Sequence, residues 1–248
     1  MYYSSAMNIQ ALQKIIDKSQ NIVFFGGAGV STESGIPDFR SQDGLYNQKW
    51  AYPPEVILSR TFFDSNTAEF YRFYREKMIA LDAMPNPAHI KLAELEQKGK
   101  LKAVVTQNID GLHQKAGSKA VYELHGSVLR NYCMKCGEFH SVEHILNSKD
   151  AENGIPKCTK CGALVKPDVV LYEEVLDNDV IDGAINAIAT ADTLIIGGTS
   201  LNVYPAASLI HYFRGKYLVL INKSVTQADN SAHLVIRDNI GQVFAALN

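Results

Sequence analysis

Asn21-Ile22-Val23-Phe24-Phe25-Gly26-Gly27-Ala28-Gly29-Val30-Ser31 reads as a short apolar run that stops at a pair of glycines. A continuous apolar run without polar alternation must bury both of its faces, which is the habit of a strand inside a parallel sheet. Similar runs recur at Leu101–Val105, Thr193–Ile196, Tyr217–Ile221 and Leu234–Ile236. Helical patterns stand between them at Asn86–Lys98, Asp179–Ala191 and Pro205–Phe213. Another precedes the first run at Ile9–Ser19, where Leu12, Ile15 and Ile16 recur at helical spacing among Lys14, Asp17 and Lys18. Strands alternating with helices predict an α/β fold built on a doubly wound, Rossmann-like parallel sheet with right-handed crossovers. Ligands of such sheets gather at the carboxyl ends of the strands. Here those ends carry Gly26–Gly29, Thr106–Asp110, Gly197–Ser200 and Asn222-Lys223, so the informative residues share one rim.

Two segments interrupt this pattern. Ser41–Met84 is rich in aromatic residues (Trp50, Phe62, Phe63, Phe70, Tyr71, Phe73 and Tyr74 among them) and contains Pro53-Pro54, so it reads as a loop followed by helices. Asn131–Ala163 contains all four cysteines. The expected organisation is one domain over 1–248. Its Rossmann-like part covers 8–40, 85–130 and 164–248, and a smaller inserted module is formed by 41–84 and a ribbon at 131–163.

Cys133-x2-Cys136 and Cys158-x2-Cys161 form two knuckles separated by 21 residues. Each knuckle can turn both sulfurs toward one ion, and two knuckles complete a tetrahedron. Gly137 and Gly162 come directly after the pairs, where a tight turn wants positive φ. Two disulfides are the other arrangement open to these residues, but they need an oxidising compartment, and no targeting segment points to one. Metal binding is therefore favoured. Four thiolates leave no open coordination position, so one structural Zn2+ is expected rather than a catalytic one. His140 and His144 nearby read as surface residues.

The formal charge of −2 and the pI near 6.4 give no basic footprint for nucleic acid. No apolar stretch approaches the roughly 18 residues of a membrane span. The first residues lack a charged region followed by a continuous apolar one, so they do not read as a signal peptide. A cytoplasmic protein, monomeric and without membrane or nucleic-acid partners, is the expectation.

The glycines of Gly26–Gly29 suit close approach of backbone N–H groups to a pyrophosphate. They do not form the G-x-G-x-x-G dinucleotide fingerprint, because Ser31 and Thr32 stand where the third glycine would come. Four later motifs are more specific. They are Ser34-Gly35-Ile36-Pro37-Asp38-Phe39-Arg40, then Thr106-Gln107-Asn108-Ile109-Asp110-Gly111-Leu112-His113, then His125-Gly126, then Gly198-Thr199-Ser200-Leu201. In this order, with the cysteines between the third and fourth, the chain resembles the sirtuin family from Ile22 to Ile240.

The resemblance implies an NAD-dependent protein lysine deacylase that consumes NAD as co-substrate and moves the acyl group from lysine to ADP-ribose. It implies that Ala28, Thr32 and Arg40 contact the NAD phosphates and neighbouring ribose, and that Phe39 covers the site once nicotinamide has left. Ile109 and Asp110 match the carboxamide pocket; Gln107 and Asn108 match contacts to the reacting ribose and an ordered water. Thr199, Ser200 and Asn222 match adenosine-side contacts, with Ile240 near the adenine. His125 matches the general base, and Asn108 and Asp110 complete the catalytic set. The chemistry agrees: a ribose hydroxyl must lose a proton, and a neutral imidazole near its natural pKa suits that task. His113 reads as structural support.

Lys166–Glu174 resembles the strand on which an acyl-lysine peptide is added through main-chain hydrogen bonds, with Val170 and Tyr172 lining the acyl-lysine tunnel. The family's Phe-Gly-Glu is replaced here by Tyr172-Glu173-Glu174, which changes the local backbone and suggests a preference for basic flanks. Relatives that remove succinyl or malonyl groups carry Tyr-x-x-Arg. This chain has Tyr71-Arg72-Phe73-Tyr74-Arg75, with the arginine one position late and turned by roughly 100° on a helix. Acetyl or other neutral acyl groups are therefore expected.

Two other functions share parts of this pattern. An ADP-ribosyltransferase or NAD glycohydrolase would use the same scaffold, but neither needs His125 as a base for a ribose hydroxyl. A non-catalytic NAD-sensing zinc protein would not need Asn108, Asp110 and His125 together.

Overall fold

Ile22–Gly26 (β1) lies at the centre of a parallel sheet and is buried along its whole length. The structure, a computed structural model, describes residues 5–38, 44 and 50–248. β1 is flanked by Leu101–Thr106 (β2) and Thr193–Gly197 (β7). Val121–Glu123 (β3) closes one edge; Tyr217–Ile221 (β8) and Leu234–Ile236 (β9) extend the other. The six-stranded order is β3-β2-β1-β7-β8-β9, all parallel. The chain order reverses beside β1, which creates the crevice that such sheets use for ligands.

Alternation along β1 sends its side chains into two cores. Phe24 packs with Leu12 and Ile16 of Ser5–Lys18 (α1), Leu92 of Pro87–Gln97 (α5) and Phe244 of Ile240–Ala245 (α9). Val23 and Phe25 face Ala184 and Ile188 of Asn178–Thr190 (α8) on the other side, together with Leu209. Each such large side chain taken fully out of water contributes about 1.5–3 kcal/mol, which explains why β1 admits no polar residue between Ile22 and Gly26. Asn86 fixes the start of α5: its side chain accepts from the Ala88 amide, Pro87 occupies the first turn, and His89 Nδ1 accepts from the Asn86 amide.

A second, three-stranded antiparallel sheet has the order β5-β4-β6, formed by Gly126–Cys133 (β4), Phe139–Ser141 (β5) and Val165–Val169 (β6). Residues 126–130 and 165–169, expected in the Rossmann-like part, hydrogen-bond in this small sheet. Against it pack Pro54–Ile57 (α2), Arg60–Ser65 (α3) and Thr67–Lys77 (α4), whose Phe62, Phe63, Phe70, Tyr71 and Tyr74 share a core with Val128, Ile145 and Val165. The aromatic wealth of 41–84 thus builds a core of its own. Leu112–Ala116 (α6) and Val142–Asn147 (α7) are two further short helices. The Pro205–Phe213 pattern forms a tighter 3-10 helix over Ala206–Tyr212. No helix among the described residues is long and apolar enough to cross a membrane.

Candidate active site and metal centre

The strand ends form one row. Thr106 stands level with Gly26, Gly26 with Gly197, and Gly197 with Ile221. The next residues stay in step: Gln107 N donates to Gly26 O (2.9 Å), and Gly198 N donates to Ile221 O (3.1 Å). Above this row the loop after β1 meets the loop after β7 at backbone distance. A Cβ on Gly29 would lie 2.8 Å from Gly198 Cα, and one on Gly27 would lie 2.8 Å from Thr199 Cβ. The glycines are therefore required by the contact between the two loops.

On one side of the crevice Ser31 is the hub. Its Oγ donates to Asp110 Oδ2 (2.6 Å) and accepts from Asn108 Nδ2 (3.1 Å). His89 Nε2 stands 3.5 Å from the same oxygen. Because His89 Nδ1 accepts from an amide, the neutral ring carries its proton on Nε2 and directs it at Ser31. One donor and two acceptor positions of the hydroxyl are then all used. Asp110 also accepts from the Leu112 amide (2.9 Å), which fixes its carboxylate at the start of α6. Burial lowers the pKa of His89 to about 4 against the opposing pull of Asp110. His113, packed on His89 and Phe24, is lowered by burial to about 3.

His125 sits in the turn between β3 and β4. Gly126 comes next at φ 75°, and a Cβ there would come within 1.9 Å of Asp168 O, so only glycine permits the turn. The His125 Nδ1 lies 3.0 Å from Gln107 O, and Val170 N donates to His125 O (3.0 Å). The ring is thus tied to the TQNID segment and the backbone to the strand carrying Val170. Burial lowers the ring's pKa, offset in part by the hydrogen bond to Gln107.

On the other side, Thr199 is buried, and its Oγ1 accepts from Gln107 Nε2 (3.1 Å). Asn222 N donates to Ile236 O (3.0 Å), and its side chain donates to Ser224 O (2.9 Å). Ile240 is buried at the start of α9, directly against Gly197. Ala28 and Thr32 lie half-buried in the loop after β1, with Thr32 Oγ1 donating to Gly29 O. Ser200 is half-buried beside Thr199. Phe39 and Arg40 lie outside the described residues.

The four cysteine sulfurs lie within 4.8 Å of one another. Cys133 Sγ and Cys161 Sγ are 3.4 Å apart, Cys136 and Cys158 3.7 Å, and Cys136 and Cys161 3.5 Å. These are far beyond a disulfide bond and close to the edge of a ZnS4 tetrahedron, about 3.8 Å for a Zn–S bond of about 2.3 Å. The four thiols are positioned to bind one zinc ion. The amides of Cys136 and Lys135 donate to Cys133 Sγ, which favours the thiolate a metal needs. His140, expected at the surface, is buried, with its ring 4.4 Å from that of His144 and tilted 30° to it.

Residues 27–205 match the model of the Sir2 family. This chain belongs to the Sir2 family. Among its relatives, an NAD-dependent protein deacetylase of Clostridium perfringens is 66% identical over 95% of this chain and 96% of its own length. One of Clostridium acetobutylicum is 64% identical over 95% and 96%. Among solved structures, a Sir2 variant with deacetylated p53 peptide and 3′-O-acetyl ADP ribose superposes with a TM-score of 0.89 at 38% identity, over 96% of both chains. A Sir2–p53 peptide–NAD+ complex gives 0.85 at 38%, covering 96% of this chain and 95% of that one.

Within this Sir2 chain the structure brings Gln107, Asn108, Asp110, His125 and Thr199 together around one crevice, with Val170 behind His125. Tyr172 is exposed at the end of the same segment, where its amide donates to Leu58 O (3.0 Å). Three residues of the site were not singled out from sequence: Ser31, Asn86 and His89. Asn86 Nδ2 donates to Val30 O and Ser34 Oγ and so pins the loop after β1 to the start of α5. The only trace of this in the sequence is the Asn-Pro helix start at 86–87.

Proposed function

We infer that this chain is an NAD-dependent protein lysine deacetylase that passes the acyl group to ADP-ribose and releases nicotinamide. The observation that carries this is the convergence of Asp110, Asn108 and His125 on one crevice above the row Thr106–Gly26–Gly197, in a chain 66% identical to a protein deacetylase.

When bound, NAD supplies an activated ribose carbon that takes up the acyl oxygen as nicotinamide departs. The residues present fit it. By the family resemblance, Ala28, Thr32 and Arg40 serve the phosphates and neighbouring ribose, and Phe39 is the residue that covers the site once nicotinamide has left. Thr199, Ser200, Asn222 and Ile240 serve the adenosine half. Ile109 and Asp110 bind the carboxamide, and Ser31 keeps the Asp110 carboxylate aimed. Gln107 and Asn108 hold the ribose. His125 accepts a ribose-hydroxyl proton at Nε2, because Nδ1 carries its own proton toward the Gln107 carbonyl. Burial keeps this ring neutral at physiological pH, as a base must be.

The acyl-lysine chain enters beside Val170 and Tyr172. Neutral acyl groups are preferred, because the arginines of α4 are occupied elsewhere. Arg75 donates to Ile145 O, Ser148 Oγ and Gly154 O, and Arg72 pairs with Glu69 over the Trp50 ring. The division into a Rossmann-like part and a smaller module is supported by the two separate sheets and the separate aromatic core. The formal charge of −2 supports acyl-lysine proteins rather than nucleic acid as partners. Thiols that must stay reduced to hold zinc support a reducing, cytoplasmic setting.

Purified protein is incubated with an acetyl-lysine peptide, with and without NAD, and the peptide is weighed by mass spectrometry. Loss of the acetyl group only when NAD is present is expected; no loss with NAD, or equal loss without it, overturns the proposal.

A further inference from the structure

The replacement of glycine by Glu173 leaves a charged side chain at φ 75°, a left-handed region that L-residues rarely adopt without strain. The surrounding contacts show what holds it there. Thr61 N donates to Glu173 Oε2 (2.8 Å), and Thr61 Oγ1 donates to the same oxygen (2.7 Å). Thr61 is in the first turn of α3, where backbone N–H groups have no partner within the helix.

Each amide of that turn is taken up in sequence. Arg60 N donates to Tyr172 O (3.0 Å), Thr61 N to Glu173, and Phe62 N to Ser59 Oγ (3.1 Å). Two of the three acceptors therefore come from the segment that carries Tyr172. The neighbouring Glu174 adds to this: it pairs with Arg60 (3.0 Å) and Lys166 (3.1 Å) and accepts from the Leu171 amide (2.9 Å).

We propose that Glu173 is a positioning residue for the acyl-lysine substrate: its carboxylate caps α3 and so holds the Leu171–Glu174 backbone in the shape that receives the peptide. Its consequence for substrate rests on the deacetylase reading above, whereas the latch itself rests only on the contacts to Thr61.

Three forms of the full chain separate the possibilities: wild type, Glu173→Gly and Glu173→Gln. Glycine removes the carboxylate and relieves the strained φ but also frees the local backbone, so the comparison with Glu173→Gln isolates the side chain's contacts. Glutamine keeps an oxygen that can accept both bonds from Thr61. Hydrogen exchange is followed at the Arg60 and Tyr172 amides, which bond to backbone and not to Glu173, and steady-state kinetics are run with an acetyl-lysine peptide and NAD. For Glu173→Gly we expect roughly tenfold faster exchange at both amides, and a three- to tenfold higher KM for peptide. Its kcat and its KM for NAD should stay within about twofold of wild type, and Glu173→Gln should restore the wild-type values. Unchanged exchange in Glu173→Gly overturns the latch, as does a peptide KM that fails to rise in an active enzyme. A wild type with no activity on any acyl-lysine peptide removes the functional reading instead, and the exchange data still decide the latch.

Discussion

The Nδ1 of His125 lies 3.0 Å from the main-chain oxygen of Gln107, and a carbonyl can only accept. The neutral ring must therefore carry its proton on Nδ1 and present Nε2 as the basic nitrogen. Replacing His125 with alanine is expected to slow deacetylation by roughly two to four orders of magnitude, the loss usual for a general base. Nicotinamide release, which needs no such base, survives in part. A variant that deacetylates at a near wild-type rate removes His125 from the mechanism.

The same ring sets the acid limb of the pH profile. Burial lowers its pKa below the ordinary histidine value of about 6.5. A base works only when unprotonated, so kcat/KM should hold steady as pH falls to about 6.5 and decline below it. An acid limb centred above about 7 contradicts this assignment.

Arg75 and Arg72 are both committed to protein partners, and the Tyr71 hydroxyl donates to Val165 O. An acyl carboxylate would have to compete with these contacts for either guanidinium. Acetyl-lysine peptide should be turned over at least about tenfold faster than succinyl-lysine peptide, the discrimination of one missing charge-assisted bond. Faster desuccinylation overturns the preference.

The tetrahedral spacing of Cys133, Cys136, Cys158 and Cys161 calls for one zinc per chain, measured by elemental analysis. Cys158→Ser or a strong chelator should release it and unfold the small sheet, because that sheet joins β4 and β6 on either side of the cluster. Activity lost through chelation should return with zinc. A metal-free protein with full activity and an unchanged melting curve contradicts a structural role.

His89 and His113 make the fold sensitive to acid. Their folded-state pKa values, about 4 and about 3, lie below the unfolded value of about 6.5. The unfolded chain then binds more protons below pH 6.5. Stability is complete above that pH and is lost as pH falls toward 4, by up to about 1.4 kcal/mol per pH unit for each ring. Among the described residues, neither ring nitrogen of His113 has a hydrogen-bond partner. His113→Leu should accordingly flatten the dependence of urea stability between pH 6.5 and 4.5, and an unchanged slope would count against the buried neutral ring.

The parallel sheet was legible because its strands are runs of apolar residues, and β8 and β9 begin and end where those runs do. β3 was missed: Val121-Tyr122-Glu123 is a three-residue edge strand, half-buried, and its order comes from pairing with β2 rather than from its own pattern. The small antiparallel sheet was hidden for a related reason, since β4 and β6 are brought together by the cysteine cluster between them. Asp110, Asn108 and His125 could be named from their motifs. Ser31 could not, because its partners lie 77 and 79 residues away and only closure of the loop after β1 brings them into reach. The fate of Glu173 was equally hidden: its partner, Thr61, belongs to a helix 112 residues earlier.

The most direct test of the central claim measures nicotinamide and acetyl-ADP-ribose together in the wild-type enzyme, with and without acetyl-lysine peptide. If Asp110 and His125 act on one crevice, nicotinamide release should require the peptide and match acetyl-ADP-ribose formation one for one, as the transfer chemistry demands. Nicotinamide released at the same rate without peptide, with ADP-ribose as the product, would contradict the account.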